Sequence, residues 1–334
     1  MQYIFNMRPL IGRAMLAGTA SMLAALFAAT AQGDPLPTRN ENPLLAPYGL
    51  PNTLPSRLPA AGDGSIGVVL NWENMHALDE TGTSSFTLDG ESQEWRLEVE
   101  HGVTDQFALR VELPWRYLSG GSLDSVVEQW HSFWHLPNGH RLNAPRDRLL
   151  IDYTENDLTR LHVDESSSGI GDIPVSLGYQ VVANDKHALA AWLSVKIPTG
   201  SAQDLTGSEA VDVALSLAGQ TQLAERWQIF GQVDGVWLGN GELLPDLQQD
   251  YAWSALAGVT WNVWRGLDLT VQVDANSKVF DSSGTHLEGD AAVINFGGSY
   301  RTTGGWRFDL GFGEELRSDA APDFTLNLGV RHGY

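Results

Sequence analysis

The chain has 334 residues, with 41 acidic and 20 basic side chains, a formal net charge of −21 and no cysteine. That balance excludes a nucleic-acid partner, because phosphate binding needs clustered Lys and Arg; the missing thiols exclude a disulfide framework and a lipid-modified Cys. The 35 Gly and 12 Trp favour strands, turns and interfacial aromatics over a helical bundle, and one large β domain fits this length.

Residues 1–31 read as a secretory signal. Arg8 and Arg13 precede an apolar, Ala-rich run from Ala14 to Ala29, and Ala29-Thr30-Ala31 supplies small residues before a cut at Gln32. Removing this segment leaves 20 − 2 = 18 basic and 41 acidic residues, a net charge of −23. Residues 32–64 form a second unit, in which Gly33 to Gly64 holds seven prolines, each lacking a donor N–H. Such a stretch cannot be a central strand. The expectation is an extended periplasmic leader, with a segment tucked into a lumen as the alternative.

Residues 65–334 form the third unit, where apolar residues alternate with polar ones in twelve stretches. They run Ile66–Trp72, Trp95–Val99, Phe107–Trp115, Ile173–Val181, Leu189–Ile197, Val211–Leu217, Ile229–Trp237, Tyr251–Trp261, Leu267–Val273, Ala292–Tyr300, Trp306–Phe312 and Phe324–Val330. No position in the apolar phase is charged, whereas the opposite phase carries Arg96, Glu98, Arg110, Glu112, Lys196, Asp212, Asp234, Asp274 and others. Alternation alone also suits a soluble sandwich, so the connections decide. Short connections, such as Asn184 to Lys186 and Trp264 to Gly266, alternate with longer ones such as His76 to Ser92 and Leu238 to Asp250. Short turns on one rim and long loops on the other are the signature of a transmembrane barrel. Hydrocarbon offers no water to unpaired amides, so the sheet must close. The pattern predicts an all-β fold: a single 12-stranded antiparallel up-and-down transmembrane β-barrel with short periplasmic turns and one long helical outer loop.

Within the hairpin of the second and third strands, opposite charges across the ladder favour one register. It sets Arg96 against Glu112 and Glu98 against Arg110, placing four lumen ion-pairing groups inside. The helical loop is the 54-residue connection from Leu118 to Gly171. Leu123, Val126, Val127, Trp130, Phe133 and Trp134 recur in it at helical spacing. This helix is expected to fold into the lumen as a constriction carried by Trp130, Phe133 and Trp134; the outer mouth and the membrane interface are the other two placements. Glu128, His131 and His135 lie on the same helix, but His131 and His135 at i, i+4 more often mark a wet face than a metal. No metal and no cofactor is expected. Nor is an enzyme: within the twelve spans the outward phase holds neither Ser nor His for lipid hydrolysis, and His131-Ser132 lacks an orienting partner, so no catalytic residue is assigned.

The closing strand has Phe324, Leu326, Leu328 and Val330 on one face and ends on Tyr334, in phase with them. It resembles the terminal strand by which bacterial outer-membrane barrels are recognised, which implies outer-membrane lipid and the barrel-assembly machinery as partners. Three local stretches carry a further resemblance: Asn42-Pro43-Leu44 with Tyr48-Gly49-Leu50-Pro51, Trp134 to Arg141, and Gly169-Ile170-Gly171-Asp172. Together they resemble the family called domain of unknown function 3187, outer-membrane barrels of Gram-negative bacteria. Lys196 to Gly200 with Thr206-Gly207-Ser208 shows a weaker similarity to barrels of aromatic-degradation pathways, which implies a hydrophobic solute. The expected function is a narrow, porin-like channel or binding protein for a small-molecule solute; a non-conducting structural or surface-recognition barrel is the alternative. The sequence assigns no oligomeric state.

Overall fold

A computed structural model of the chain describes residues 33–135, 144–282, 289–316 and 321–334. The signal segment expected at residues 1–31 lies outside them. The described residues carry β1 (Gly64–Thr81), β2 (Ser84–Gly102), β3 (Phe107–Ser119), α1 (Asp124–Trp134), β4 (Leu150–Glu155), β5 (Leu158–Val163) and β6 (Ser167–Ile170). These are followed by β7 (Ile173–Ala183), β8 (His187–Ile197), β9 (Asp212–Ala224), β10 (Trp227–Trp237) and β11 (Tyr251–Trp264). The last four are β12 (Leu267–Asn276), β13 (Ala291–Arg301), β14 (Trp306–Glu315) and β15 (Phe324–Gly333). Among the described residues no helix is long and apolar enough to cross a membrane.

Twelve of these strands, β1 to β3 and β7 to β15, pair antiparallel with their neighbours into one closed wall. The seam joins the first strand to the last, from Ser65 opposite Gly333 to Asn74 opposite Phe324. Below it Gly64 and Tyr334 exchange backbone hydrogen bonds at 3.0 and 2.9 Å. The side-chain alternation then turns the usual order of burial inside out. Val68, Leu109, Leu177, Leu215, Leu269 and Leu328 are each at least 40% exposed, while Arg96, Arg110, Lys196, Asp212 and Gln272 are no more than 5% exposed. An apolar band around a charged interior is stable only in lipid. The turns β7–β8, β9–β10 and β11–β12 take only a few residues. They mark the periplasmic rim.

Several elements depart from the expected layout. The connection His76 to Ser92 is no open loop: β1 and β2 stay paired as far as Thr81 opposite Ser84. This hairpin rises past the wall, and β4 adds to it, pairing Ser84 to Asp89 with Glu155 to Leu150, with β5 beyond. The β2–β3 register also differs from the expected one, with Glu98 opposite Glu112, Glu94 opposite Arg116 and Glu100 opposite Arg110. Each register sets two opposite charges directly across, but the observed one gives Glu94 and Glu100 a cation in place of Pro114 and Ala108, and its like-charged pair is flanked by Arg96 and Arg110, 3.0 Å from Glu98 and 2.7 Å from Glu112 respectively. The expected register would leave Glu94 and Glu100 without an opposed cation and Arg116 without an opposed anion.

The third departure is α1, which does not constrict the lumen. Its Trp130 stacks on Phe312 at 6.1 Å and meets Phe324 edge-on at 6.0 Å, and its indole N–H donates to Glu314. All three partners belong to the outward-facing phase of β14 and β15. At its other end Asn74 donates to Asp124 at 2.9 Å, and Glu91 accepts from the backbone N–H of Ser122 at 2.8 Å and from that of Leu123. Asn74 and Glu91 also sit in the outward phase, so the helix lies against the outside of the wall across the β15–β1 seam. Phe133 is 71% exposed, and the Trp134 side chain lies outside the described residues. Tryptophan at a water–hydrocarbon boundary prefers this position, with its ring in grease and its N–H on a polar partner.

Leu328 sits midway along β15 on the lipid face. Leu328→Arg is expected to cost about 2 to 4 kcal/mol of unfolding free energy in vesicles, measured by urea titration; a neutral outcome would argue against membrane insertion.

Candidate functional site: a latched hairpin in the lumen

The proline-rich segment is not a leader: its described residues fill the barrel. Leu36, Leu44, Leu45, Tyr48, Leu50 and Leu54 are all buried. The described segment begins at the periplasmic end, where Gly33 meets Gln228 and Asp34 pairs with Arg301 at 3.3 Å and Arg307 at 2.5 Å. It climbs beside β12: Thr38 donates to Asp274 at 2.5 Å, and Asn40 bonds Asn276 at 3.2 Å. Near the outer rim it turns, with Leu45 and Ala46 donating to the Asn42 carbonyl. It descends past β9 and β10 to Arg57, which reaches the Asn184 carbonyl in the β7–β8 turn at 2.5 Å. Arg39 staples the turn by donating to the carbonyls of Ala46 and Tyr48 at 3.0 and 2.9 Å.

A backbone buried in this way needs partners for its amides. The seven prolines remove donors, and four inward-facing glutamines supply much of the remainder. Each glutamine amide brackets the hairpin backbone with one donated and one accepted bond, as a neighbouring peptide would. Gln272 accepts from Leu36 N–H at 3.0 Å and donates to its carbonyl at 3.4 Å. Gln232 accepts from Leu54 N–H at 2.8 Å and donates to Asn52 O at 3.0 Å. Gln180 does the same for Leu58 and Ser56 at 2.8 and 2.9 Å, and Gln228 for Gly33. Trp192 adds an indole N–H to the Pro55 carbonyl at 2.9 Å.

The outer turn is held by a buried latch. Lys196 Nζ donates to the Pro47 carbonyl at 3.0 Å and to Ser208, and it pairs with Asp172 at 2.5 Å and Asp212 at 3.1 Å. Asp172 also accepts from the N–H groups of Thr199, Gly200 and Ser208 at 3.0, 2.8 and 3.0 Å, and Asp212 accepts from Gly49 and Gly239 at 2.8 and 2.9 Å. Gly171 precedes this carboxylate where β6 gives way to β7. A Cβ there would stand 2.9 Å from Pro114 Cγ and 3.2 Å from the Thr206 carbonyl, so only glycine fits. The stretches Tyr48–Pro51, Gly169–Asp172, Lys196–Gly200 and Thr206–Ser208 therefore converge on one knot between hairpin and wall.

Below the latch the charged ladder continues. Arg96 pairs with Glu98 at 3.0 Å and lies 3.7 Å from Glu112; Arg110 lies 3.0 Å from Glu98 and 2.7 Å from Glu112. Asn52 of the hairpin donates to Glu112 at 2.5 Å. Above the latch, Leu44, Leu45 and Tyr48 join Met75, Phe86, Ile151, Leu243 and Phe280 in an apolar cluster covering the outer mouth. Of the voids between hairpin and wall, one around Arg39, Arg96 and Lys196 leaves about 20 Å³ to water centres, and one around Thr38, Asp234 and Asp274 about 40 Å³. Each has room for one to a few waters.

The other candidate groups stand apart from this site. His131 is buried against the wall, 3.6 Å from Glu314, while Ser132 and His135 are exposed. Among the described residues no three His, Cys, Asp or Glu side chains cluster as metal ligands. Tyr334, closing the seam, stacks on His101 at 6.3 Å. Phe324, Leu326, Leu328 and Val330 lie opposite Asn74, Trp72, Leu70 and Val68.

A closed wall of twelve strands with an apolar exterior, a charged interior and short turns on one rim is an outer-membrane β-barrel, and the membrane is the bacterial outer membrane. The chain belongs to the family described as protein of unknown function (DUF3187), whose model matches residues 13–334. No curated protein matches it. Among solved structures it is similar to the COG4313 outer membrane channel from Pseudomonas putida F1, at 15% identity over 84% of this chain and 98% of that one, with a TM-score of 0.56. The KdgM porin aligns with a TM-score of 0.44, at 11% identity over 81% and 99% of the two chains. The P. putida toluene transporter TodX gives 0.38, at 13% identity over 83% and 91%. At these identities the likeness is one of fold.

Lys196→Met leaves Asp172 and Asp212 buried without their cation. Breaking a buried pair in this way is expected to cost about 3 to 5 kcal/mol. Protease nicking within residues 33–60 should rise while the barrel still resists heat in detergent gels. An unchanged digestion pattern would show that Lys196 does not hold the hairpin.

Proposed function

We propose that this barrel is a narrow channel or binding protein for small solutes, kept closed by its amino-terminal hairpin. The observation that carries the reading is how the hairpin is attached. Side-chain hydrogen bonds and ion pairs fasten it along both legs, whereas the wall completes its own ladder without it. Withdrawing the hairpin therefore breaks no strand pairing, and the amides and charges it uncovers are groups that water satisfies equally well. That supports a lumen able to exist both filled and hydrated. The exposed wall would present Gln, Asn, Asp, Glu, Arg and Lys, which favours small polar solutes over the hydrophobic solute implied by the weaker resemblance. A second reading, a non-conducting barrel, draws its support from the apolar cluster over the outer mouth.

The chain has no cysteine, so a reversible lock is available. In Thr38→Cys with Asp274→Cys, oxidation should tie the ascending leg to β12. In planar bilayers the oxidised protein is expected to stay silent and the reduced protein to show current steps. A variant lacking residues 34–58, first checked for heat-resistant migration, should conduct continuously. Silence of that folded deletion variant would end the channel reading and leave the non-conducting one.

A further inference from the structure

The helix α1 performs no task in the closed lumen, yet its sequence and seat are specific. Successive residues advance about 100° around a helix, so Val126, Trp130 and Phe133 fall within about 60° of arc. They form one apolar stripe. Val127, His131 and Asp124 occupy a different sector and are buried against the wall. Ser125, Gln129 and Ser132, which are exposed, and Glu128, which pairs with Arg146, complete the polar remainder. An ordinary helix docked on a protein surface would hide its apolar stripe and leave the rest wet. Here Val126 is 49% and Phe133 71% exposed. Trp130, between them, is anchored on Phe312 and Phe324, the outer ends of two strands whose lower residues Leu310, Leu328 and Val330 form the lipid-facing band. The stripe is therefore continuous with the band, and it begins where the band reaches the outer rim.

We infer that α1 is seated in the outer leaflet, with the acyl chains of membrane lipid covering Val126, Trp130 and Phe133, and that lipid so bound clasps the helix over the β15–β1 seam. A helix with one apolar stripe and a polar remainder is the form that lies in a bilayer interface. Its protein contacts suit the same role. Glu91 fixes the start of the helical segment by accepting from Ser122 and Leu123 while also accepting from the Trp72 indole at 2.7 Å and from Asn74 at 3.2 Å. Glu314 fixes the far turn through Trp130. Between these points the helix crosses from β2 and β1 to β15 and β14, bridging the strands on both sides of the seam.

The test uses single cysteines, Phe133→Cys and Ser132→Cys, each carrying an environment-sensitive fluorophore, with Leu269→Cys as a reference in the lipid band. The proteins are reconstituted in phosphatidylcholine vesicles and quenched either by lipids bearing spin labels on their acyl chains or by aqueous iodide. Position 133 should follow position 269, quenched several-fold more by labelled lipid than position 132, with iodide giving the opposite order. The inference is overturned if positions 132 and 133 respond alike to iodide and neither responds to labelled lipid. It is overturned equally if oxidised Phe133→Cys protein cross-links into dimers in the vesicles, since a second copy would then occupy the stripe. Heat-resistant migration of each labelled protein confirms that the barrel is intact.

Discussion

Every backbone amide in this molecule must find a partner where water is scarce. In hydrocarbon that demand closes the sheet, because an edge strand would strand a row of N–H and C=O groups at several kcal/mol each. Inside the lumen the same demand reappears for a segment that is not part of any sheet. The solution there is different in kind: prolines lower the number of donors, and glutamines on the wall imitate the peptide group. One constraint thus explains the seam from Ser65 to Gly333 and the pairing of Gln272 with Leu36.

The distribution of charge follows from the same geometry. Band residues such as Leu177 and Leu269 face lipid, and the outward Glu91 and Glu314 sit at the outer rim beneath α1, so charged residues within the lipid-facing span of the strands have only the interior to occupy. They are expensive there unless paired, and the ladder of Glu94, Arg96, Glu98, Arg110 and Glu112 is paired throughout. Lys196 joins two carboxylates to a carbonyl of the hairpin. It makes the electrostatics of the wall and the position of the hairpin parts of a single network.

Much of this was legible in the residues themselves. Leu109, Val111 and Leu113 alternate with Arg110 and Glu112 because a strand with lipid on one side can have no other pattern, and the uneven connections told which rim was which. The inward placement of Arg96, Glu98, Arg110 and Glu112 followed from the same alternation, but their register did not. It depended on Glu94, Glu100 and Arg116 as well. The hairpin was harder to place, since proline excludes a central strand without saying where an extended chain lies. The available signal was chemical: Gln180, Gln228, Gln232 and Gln272 all fall in the inward phase, an excess of amides with no obvious partners on the strands. The seat of α1 escaped for another reason. Its apolar stripe fits a lumen, a mouth or a membrane equally well, and only the contacts of Trp130 and Asp124 distinguish them.

Both described ends of the lumen segment lie at the same rim, Gly33 beside Gln228 and Ala60 beside Gly102. The segment is consequently a bight, like a doubled cord pushed into a sleeve, and no free end has to travel the length of the cylinder for it to go in or come out. It can be inserted after the wall is complete, and drawn back toward the periplasm without undoing a strand. In the proposed channel, a plug of that topology would come out by a pull from the cell's own side and be shielded from one applied outside, where Leu44, Leu45 and Tyr48 are buried in the apolar cluster.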